Sequence, residues 1–289
     1  MSRGARAIAC GRVDAYHDRG RLPAARPGFP MRMKMPNDSI VYERRDRVAL
    51  ITINRPAQLN AIDRTVREGL FDAFARFEGD ADARVAILTG AGGKAFCAGM
   101  DLKEAAQMQL RVPPPGFLPV IGDTVQLSKP TIAAVNGLAL AGGWLLAQMC
   151  DLCIAAEHAT FGITEARVGR GMPWATPLVS MVQQRALMEL LLTAEPISAA
   201  RAREIGFVNH VVPAEALMPR AMAMATRIAE NAPLTVGAAR ELVYLATEMG
   251  RSAARRAAGP LFEKVYLSED AQEGPRAFRE KRPPRWQGR

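Results

Sequence analysis

The chain has 289 residues, 49% of them apolar and 23% charged, with a formal charge of +9. That size and apolar content suffice for a large buried core, in one domain with or without an appendage. No uninterrupted apolar stretch approaches the ~20 residues that a membrane-spanning helix needs.

The charge sits at the ends. Residues 1–35 carry a net +6 and residues 251–289 a net +5, which leaves the body at −2. The body has no basic stripe interleaved with aromatics, so the pattern reads as solvated termini and not as a nucleic-acid footprint. Basic residues near the C-terminus could still meet a phosphorylated small molecule.

Residues 1–35 are rich in Arg, Pro and Gly, without a hydrophobic period, and are expected to form a disordered extension. No apolar run follows the early arginines, so a secretory signal is not expected. The basic character leaves an organellar transit peptide open, although the segment has a single serine and two aspartates. Met31, Met33 and Met35 offer alternative translation starts.

Val48 to Ile53 reads as a strand stopped by Asn54-Arg55-Pro56. Asp63 reads as the N-cap of a helix with Val66, Leu70, Phe74 and Phe77 at helical spacing, closed by Gly79. Val85 to Thr89 is a second buried strand. Asp101 and Glu104 stand at capping-box spacing for a further helix. The breaker-rich run from Arg111 to Phe117 predicts a mobile loop. Thr131 to Val135 and Leu152 to Ala155 are further strands, with a helix opening at Gly142-Gly143 between them. From about Gln183 the pattern turns helical: Ala186–Thr193, Ser198–Ile205, a short strand Val208–Val212, then Ala214–Glu230 and more helices. The alternation of strand and helix predicts an α/β fold.

Two glycine-bearing stretches carry the chemistry: Ala95-Phe96-Cys97-Ala98-Gly99-Met100-Asp101-Leu102 and Gly137 through Gly143. Glycine strips away side chains so that backbone N–H groups can face a ligand. Two such loops meeting in space could aim a pair of donors at one oxygen, the architecture of an oxyanion hole. A single acid, Glu165, follows in Phe161-Gly162-Ile163-Thr164-Glu165. Two donors and one carboxylate suit chemistry beside a carbonyl. Taken singly, the glycines would equally serve tight strand–helix packing, and Glu165 a surface turn.

The cysteines do not form a spaced framework. Cys150-Asp-Leu-Cys153 is a lone C-x-x-C without a second pair, so zinc is not expected, and Cys97, Cys150 and Cys153 read as inert buried thiols in a reducing, cytoplasmic compartment. Cys10 lies in the extension.

Beyond these readings, an ordered set of motifs resembles the enoyl-CoA hydratase/isomerase (crotonase) family. The set comprises Asn54-Arg55-Pro56-x-x-x-Asn60-Ala61-Ile62, Ala98-Gly99-Met100-Asp101-Leu102, Asn136-Gly137 through Gly143, and Cys150-Asp151-Leu152. Phe161-Gly162, the Ala202 to Val212 pattern and the tail Ala277-Phe278-x-Glu280-Lys281-Arg282-x-Pro284 complete it. The resemblance runs from about Ser39 to the C-terminus.

It implies a spiral of repeated ββα units over residues 36–230 and a C-terminal helical region, 231–289, that builds homotrimers or dimers of trimers. It implies an acyl-CoA substrate, with coenzyme A entering as part of the thioester, and no metal or redox cofactor. The oxyanion donors would be the N–H groups of Met100 and Gly142, and Glu165 would move protons at the substrate's carbon chain. The loop Ala57-Gln58-Leu59 would meet coenzyme A, with Ala57 standing where a lysine is often found, and Lys281 and Arg282 could compensate for that loss or serve only as charges at a helix C-terminus. Ala98, Gly99, Asp101, Leu102 and Gly143 would frame the thioester, and Trp144 and Trp174 could line the acyl pocket or belong to the core.

The chain departs from the family's hydratases at Leu145, where they carry a second glutamate. A lone Glu165 could shift a double bond or assist hydration by itself. The segment Gly169-Arg170-Gly171-Met172-Pro173-Trp174 also departs from the family pattern, which leaves the substrate's shape open.

Rival classes are weaker. Gly90-Ala-Gly92-Gly-Lys-Ala95 fits G-x-G-x-x-A for a dinucleotide, but no continuous helix is expected to follow it. His17, His158 and His210 lie beside no nucleophile elbow, which argues against a serine hydrolase. A non-catalytic CoA- or RNA-binding homologue of the same fold is the remaining alternative.

Overall fold

The computed structural model describes residues 38–289. Its strands are β1 (Ile40–Arg45), β2 (Val48–Ile53), β3 (Val85–Gly90), β4 (Ala95–Cys97), β5 (Thr131–Val135), β6 (Leu138–Leu140), β7 (Leu152–Ala156), β8 (Thr160–Gly162), β9 (Ile197–Ser198) and β10 (His210–Val212). The helices are α1 (Arg64–Gly79), α2 (Leu102–Gln107), α3 (Gly142–Gln148), α4 (Leu178–Met181), α5 (Gln184–Thr193), α6 (Ala199–Glu204), α7 (Leu217–Ala229), α8 (Pro233–Glu248), α9 (Arg251–Tyr266) and α10 (Glu269–Arg279). None of the described helices is long and apolar enough to cross a membrane.

The strands form two sheets. The larger has the order β1-β2-β3-β5-β7-β10 and the smaller β4-β6-β8-β9. In the larger sheet β1 pairs antiparallel with β2, and every other neighbour pairs in parallel. Strands β3 and β5 are buried at every residue. Such continuous apolar runs belong to parallel strands covered on both faces. One face packs Val48, Leu50, Val85, Ile87, Ile132 and Ile154 against α7. Ala221, Ala225 and Ala229 recur there every fourth residue, so the helix lies close to the sheet. The opposite face carries the larger core, with Leu70, Phe74 and Phe77 of α1 and Trp144 of α3.

The chain leaves the larger sheet for the smaller one three times: β3 runs into β4 and α2, β5 into β6 and α3, and β7 into β8 and a 3-10 turn at Glu165–Val168. These successive turns make the spiral that the resemblance implies. Its corners are tied by Asn136, whose Nδ2 donates to the carbonyls of Gly90 (2.8 Å) and Gly92 (2.5 Å), and by His158, whose Nε2 lies 3.1 Å from the Gly93 carbonyl and 3.2 Å from that of Asn136.

One local expectation needs correction. The capping box at α2 is only half formed. Asp101 accepts from the amides of Lys103 and Glu104, but Glu104 turns away to the Arg64 amide (2.9 Å) and the Arg67 guanidinium (2.7 Å) of α1. A buried arginine attracts that carboxylate more strongly than one further amide would. The G-x-G-x-x-A run leads from β3 into strand β4, not into a helix, so no dinucleotide cradle forms.

Candidate active site

Three short strands of the smaller sheet, β4, β6 and β8, run parallel and side by side. The residues that follow their C-terminal ends are Ala98 to Asp101, Ala141 to Gly142, and Ile163 to Glu165. Crevices beyond the carboxyl ends of parallel strands are where ligands bind in open α/β sheets. Adjacent pairing sets the residues level, with Leu140 opposite Gly162 and the Ala141 amide donating to the Gly162 carbonyl at 2.7 Å.

The first two turns touch. A Cβ built on Gly99, which has φ +92°, would come within 2.8 Å of the Leu140 carbonyl and 3.5 Å of the Gly142 nitrogen. A Cβ on Gly142 would lie 3.8 Å from the Met100 nitrogen. Glycine at both places therefore brings the Met100 and Gly142 amides together. Ile62 receives the Asp101 amide (2.9 Å) and donates to the Gly99 carbonyl (2.8 Å), which occupies the backbone groups on either side of Met100. The N–H groups of Met100 and Gly142 donate to no acceptor among the described residues. Gly142 is the first residue of α3, where an amide has no intrahelical partner. Ala141 precedes it at φ 51° and ψ −119°, a strained conformation for a residue with a Cβ.

Glu165 is only 7% exposed. Its Oε1 accepts from the Trp174 indole N–H at 2.9 Å, and its Oε2 is buried without a hydrogen-bond partner. Burial pushes the carboxyl above the usual range, against the opposing pull of nearby backbone amides and the indole. The Trp174 carbonyl in turn accepts from Nε2 of Gln148 on α3 at 2.7 Å.

The Ala57-Gln58-Leu59 loop is exposed and abuts the Met100 turn, because the Ala98 amide donates to the Leu59 carbonyl at 3.0 Å. Asn60, fully buried at φ 56°, anchors that loop: its Oδ1 accepts from the Arg55 amide and its Nδ2 donates to the carbonyls of Ala91 and Ala95. Arg55 bridges Asp63 (3.2 Å) and Asp101 (3.4 Å). Burial alone would raise the Asp101 carboxyl, but the α2 amides and Arg55 hold it below the usual range.

The remaining expected residues divide. Leu102 is 69% exposed beside the Met100 turn, whereas Gly143 is packed on the Cys97 backbone. Leu145 and Trp144 are buried in the core, with Trp144 packed edge-on to Phe161 and tilted against Phe207 at centroid distances of 5.6 and 5.1 Å. Arg282 is engaged by Glu273 and Glu280 within the C-terminal segment, and Lys281 is exposed next to it. Cys97, Cys150 and Cys153 are buried, and burial pushes the Cys97 thiol up to about 12. His210 faces Arg220, and His158 faces backbone carbonyls. Cys10 and His17 lie outside the described residues.

Sequence reasoning assigned no role to Gln148, Asn60 or Ala141. Gln148 had a signal, as the polar residue closing the apolar run from Trp144 to Ala147. Two surface hollows, one along α5 and α6 and one on α10, contain none of Met100, Gly142 or Glu165.

A two-sheet spiral with glycine turns and a buried acid at its strand ends defines a class of acyl-CoA enzymes. Residues 43–289 match the family model for enoyl-CoA hydratase/isomerase, and the chain belongs to that family. It is 40% identical over 266 residues to enoyl-CoA hydratase EchA19 of Mycobacterium tuberculosis, covering 87% of this chain and 97% of the relative. It is 37% identical over 258 residues to (E)-benzylidenesuccinyl-CoA hydratase of Thauera aromatica, covering 86% and 99%. The crystal structure of enoyl-CoA hydratase EchA1 from Mycobacterium marinum superposes with a TM-score of 0.81 at 38% identity, over 88% of this chain and all of that one.

Proposed function

We propose that the chain adds water to the double bond of an enoyl-CoA thioester, or removes it in the reverse direction. The Met100 and Gly142 amides hold the thioester oxygen, and Glu165 transfers the proton. The observation that carries this reading is a pair of adjacent amides that donate to no acceptor among the described residues, with one buried carboxylate following the end of the neighbouring strand. As negative charge builds on the thioester oxygen, the paired donors stabilise it, each contributing about 3–4 kcal/mol to lowering the barrier. Glu165, raised above the ordinary carboxylate range by burial, exchanges a proton with water or carbon more readily than a solvated carboxylate. The hydratase names of the relatives support this direction.

Double-bond isomerisation is the second reading, and Leu145 favours it. With a buried leucine where a second acid would help to hold water, one carboxylate can still take a proton from one carbon and return it to another. The chemistry asks for no metal or redox group, because the two amides polarise the thioester carbonyl. The exposed Ala57-Gln58-Leu59 loop, which abuts the Met100 turn, meets the coenzyme A moiety in this reading. Tyr266, Leu267 and Phe278, exposed on and beside α9 and α10, suit assembly into a homotrimer or a dimer of trimers. Buried reduced thiols fit a cytoplasmic setting.

The test is incubation with 2-enoyl- and 3-enoyl-CoA in heavy water, with products identified by mass and NMR. Hydration yields a 3-hydroxyacyl-CoA carrying one carbon-bound deuterium at C2. Isomerisation interconverts the two enoyl substrates without gain of water. Turnover of neither substrate across a range of acyl lengths overturns both readings.

A further inference from the structure

A carboxylate that shuttles protons presents two chemically equivalent oxygens, and its terminal torsion is soft. In this chain the two oxygens of Glu165 are made unequal. Oε1 accepts the Trp174 indole N–H at 2.9 Å, whereas Oε2 is buried with no partner. The indole is itself braced. Trp174 lies in a 3-10 turn, Pro173–Ala175, whose Ala175 is buried, and its carbonyl receives Nε2 of Gln148 at 2.7 Å. Gln148 is 4% exposed and closes α3, the helix that opens with Gly142. One short helix thus presents an oxyanion donor at its first residue and supports the carboxylate's partner from its last.

We propose that Trp174 is a positioning residue for Glu165: its indole N–H pins Oε1 and leaves Oε2 as the oxygen that exchanges the proton with the substrate. This rests on the reading of Glu165 as the acid/base. In a site whose second acid position is Leu145, the indole restrains the lone carboxylate. The same hydrogen bond favours the ionised carboxylate and so opposes the upward push of burial.

The test compares kcat and KM as functions of pH in the wild type, Trp174→Phe and Glu165→Gln, using the enoyl-CoA that the wild type turns over. Trp174→Phe is expected to lower kcat about tenfold, keep KM within about threefold, and move the acid limb of kcat up by about one pH unit, as loss of a hydrogen bond to a charged group requires. A merely packing or acyl-lining Trp174 would change KM or chain-length preference and leave that limb in place, which overturns the proposal. Retained activity in Glu165→Gln rejects the acid/base reading itself. An inactive Glu165→Gln beside an unmoved Trp174→Phe profile rejects this inference alone.

A measurement on the intact protein keeps the question decidable if Trp174→Phe does not fold. The chain has three tryptophans, so its indole 15N–H spectrum is simple. One indole resonance is expected to titrate with the midpoint of the acid limb of kcat/KM, which reports the free enzyme, and to lose that titration in Glu165→Gln. No indole resonance titrating at that midpoint overturns the proposal.

Discussion

The α carbon of Gly143 rests on the backbone of Cys97: a Cβ at that position would overlap the Cys97 carbonyl oxygen and come within 2.8 Å of its carbonyl carbon. Helix α3 is thereby seated on β4, and the seat determines where Gly142 sits relative to Met100. Neither backbone can give way without moving one of the amides. Gly143→Ala is expected to destabilise the fold by about 2–3 kcal/mol, the range for overpacking a tight interior. Where the variant folds, kcat should fall by more than tenfold because α3 must shift outward. Denaturant melts and steady-state kinetics at low temperature check both. Wild-type stability and rate would show that α3 is not fixed by this contact.

Glu165→Gln should separate function from stability. Turnover is expected to fall at least a thousandfold while affinity for an unreactive acyl-CoA stays within about tenfold, the pattern of a group needed in the transition state. Burial raises the folded pKa of Glu165 above its unfolded value, so its contribution to stability is fully present below the unfolded value and lost as pH rises through the folded one. The variant lacks that titration. Its melting temperature relative to wild type should therefore climb as pH rises from the ordinary carboxylate range. A difference that stays flat over that rise would show that the buried carboxylate carries no ionisation cost.

The framework of this site was legible where a residue pattern is local. Val48–Ile53 and Thr131–Val135 coincide with strands β2 and β5, since each is an apolar, β-branched run ended by Asn-Arg-Pro or Asn-Gly. Asp63 caps α1 by accepting the Val66 amide. Strand β1 went unread because its Glu43-Arg44-Arg45 half is exposed and charged. Strands β4, β6 and β8 are three residues each, too short to show a period of two, and they exist through partners about forty or twenty residues away. The same limit divides the site. Gly99, Gly142 and Glu165 stand out in a linear reading, but the Gln148–Trp174–Glu165 connection joins three separate segments and has no local signature.

Asp151 is the polar anchor of α8. Its Oδ2 accepts the Thr131 amide (2.7 Å) and hydroxyl (2.9 Å), and its Oδ1 accepts Arg240 Nε and Tyr244 Oη, both at 2.7 Å. Burial, followed by the neighbouring carboxylate, pushes the Tyr244 hydroxyl up, so it stays a donor throughout the physiological range. Arg240 and Asp151 are 10% and 14% exposed, and removing one partner leaves the other charge poorly solvated. Asp151→Ala is expected to cost about 3–5 kcal/mol, as for other broken buried pairs. The double variant Asp151→Ala with Arg240→Met should recover part of that loss. Additive losses in a double-mutant cycle would show that the two groups are not coupled.

Glu273 performs the corresponding task for the C-terminal tail. Its carboxylate is 6% exposed, covered by guanidinium groups and not by apolar core. It accepts from Arg282, from the Arg285 amide at 2.8 Å and from Arg276, and these contacts, Arg282 foremost, depress it to about 2. A depressed carboxyl stabilises the folded arrangement above its unfolded pKa, and that stabilisation is lost as pH falls through the folded value. The tail should therefore stay docked at pH 4 and release progressively towards pH 2, ahead of the core strands. Hydrogen exchange at the Arg285, Gln287 and Gly288 amides reads this directly, since Asp270 holds the latter two. In Glu273→Gln the Arg285 amide is expected to exchange faster at neutral pH and to lose its acid dependence. Protection that survives in this variant would assign the docking of the tail to Trp286, whose indole donates to the Glu230 carbonyl, and to Arg84, which donates to the Trp286 carbonyl.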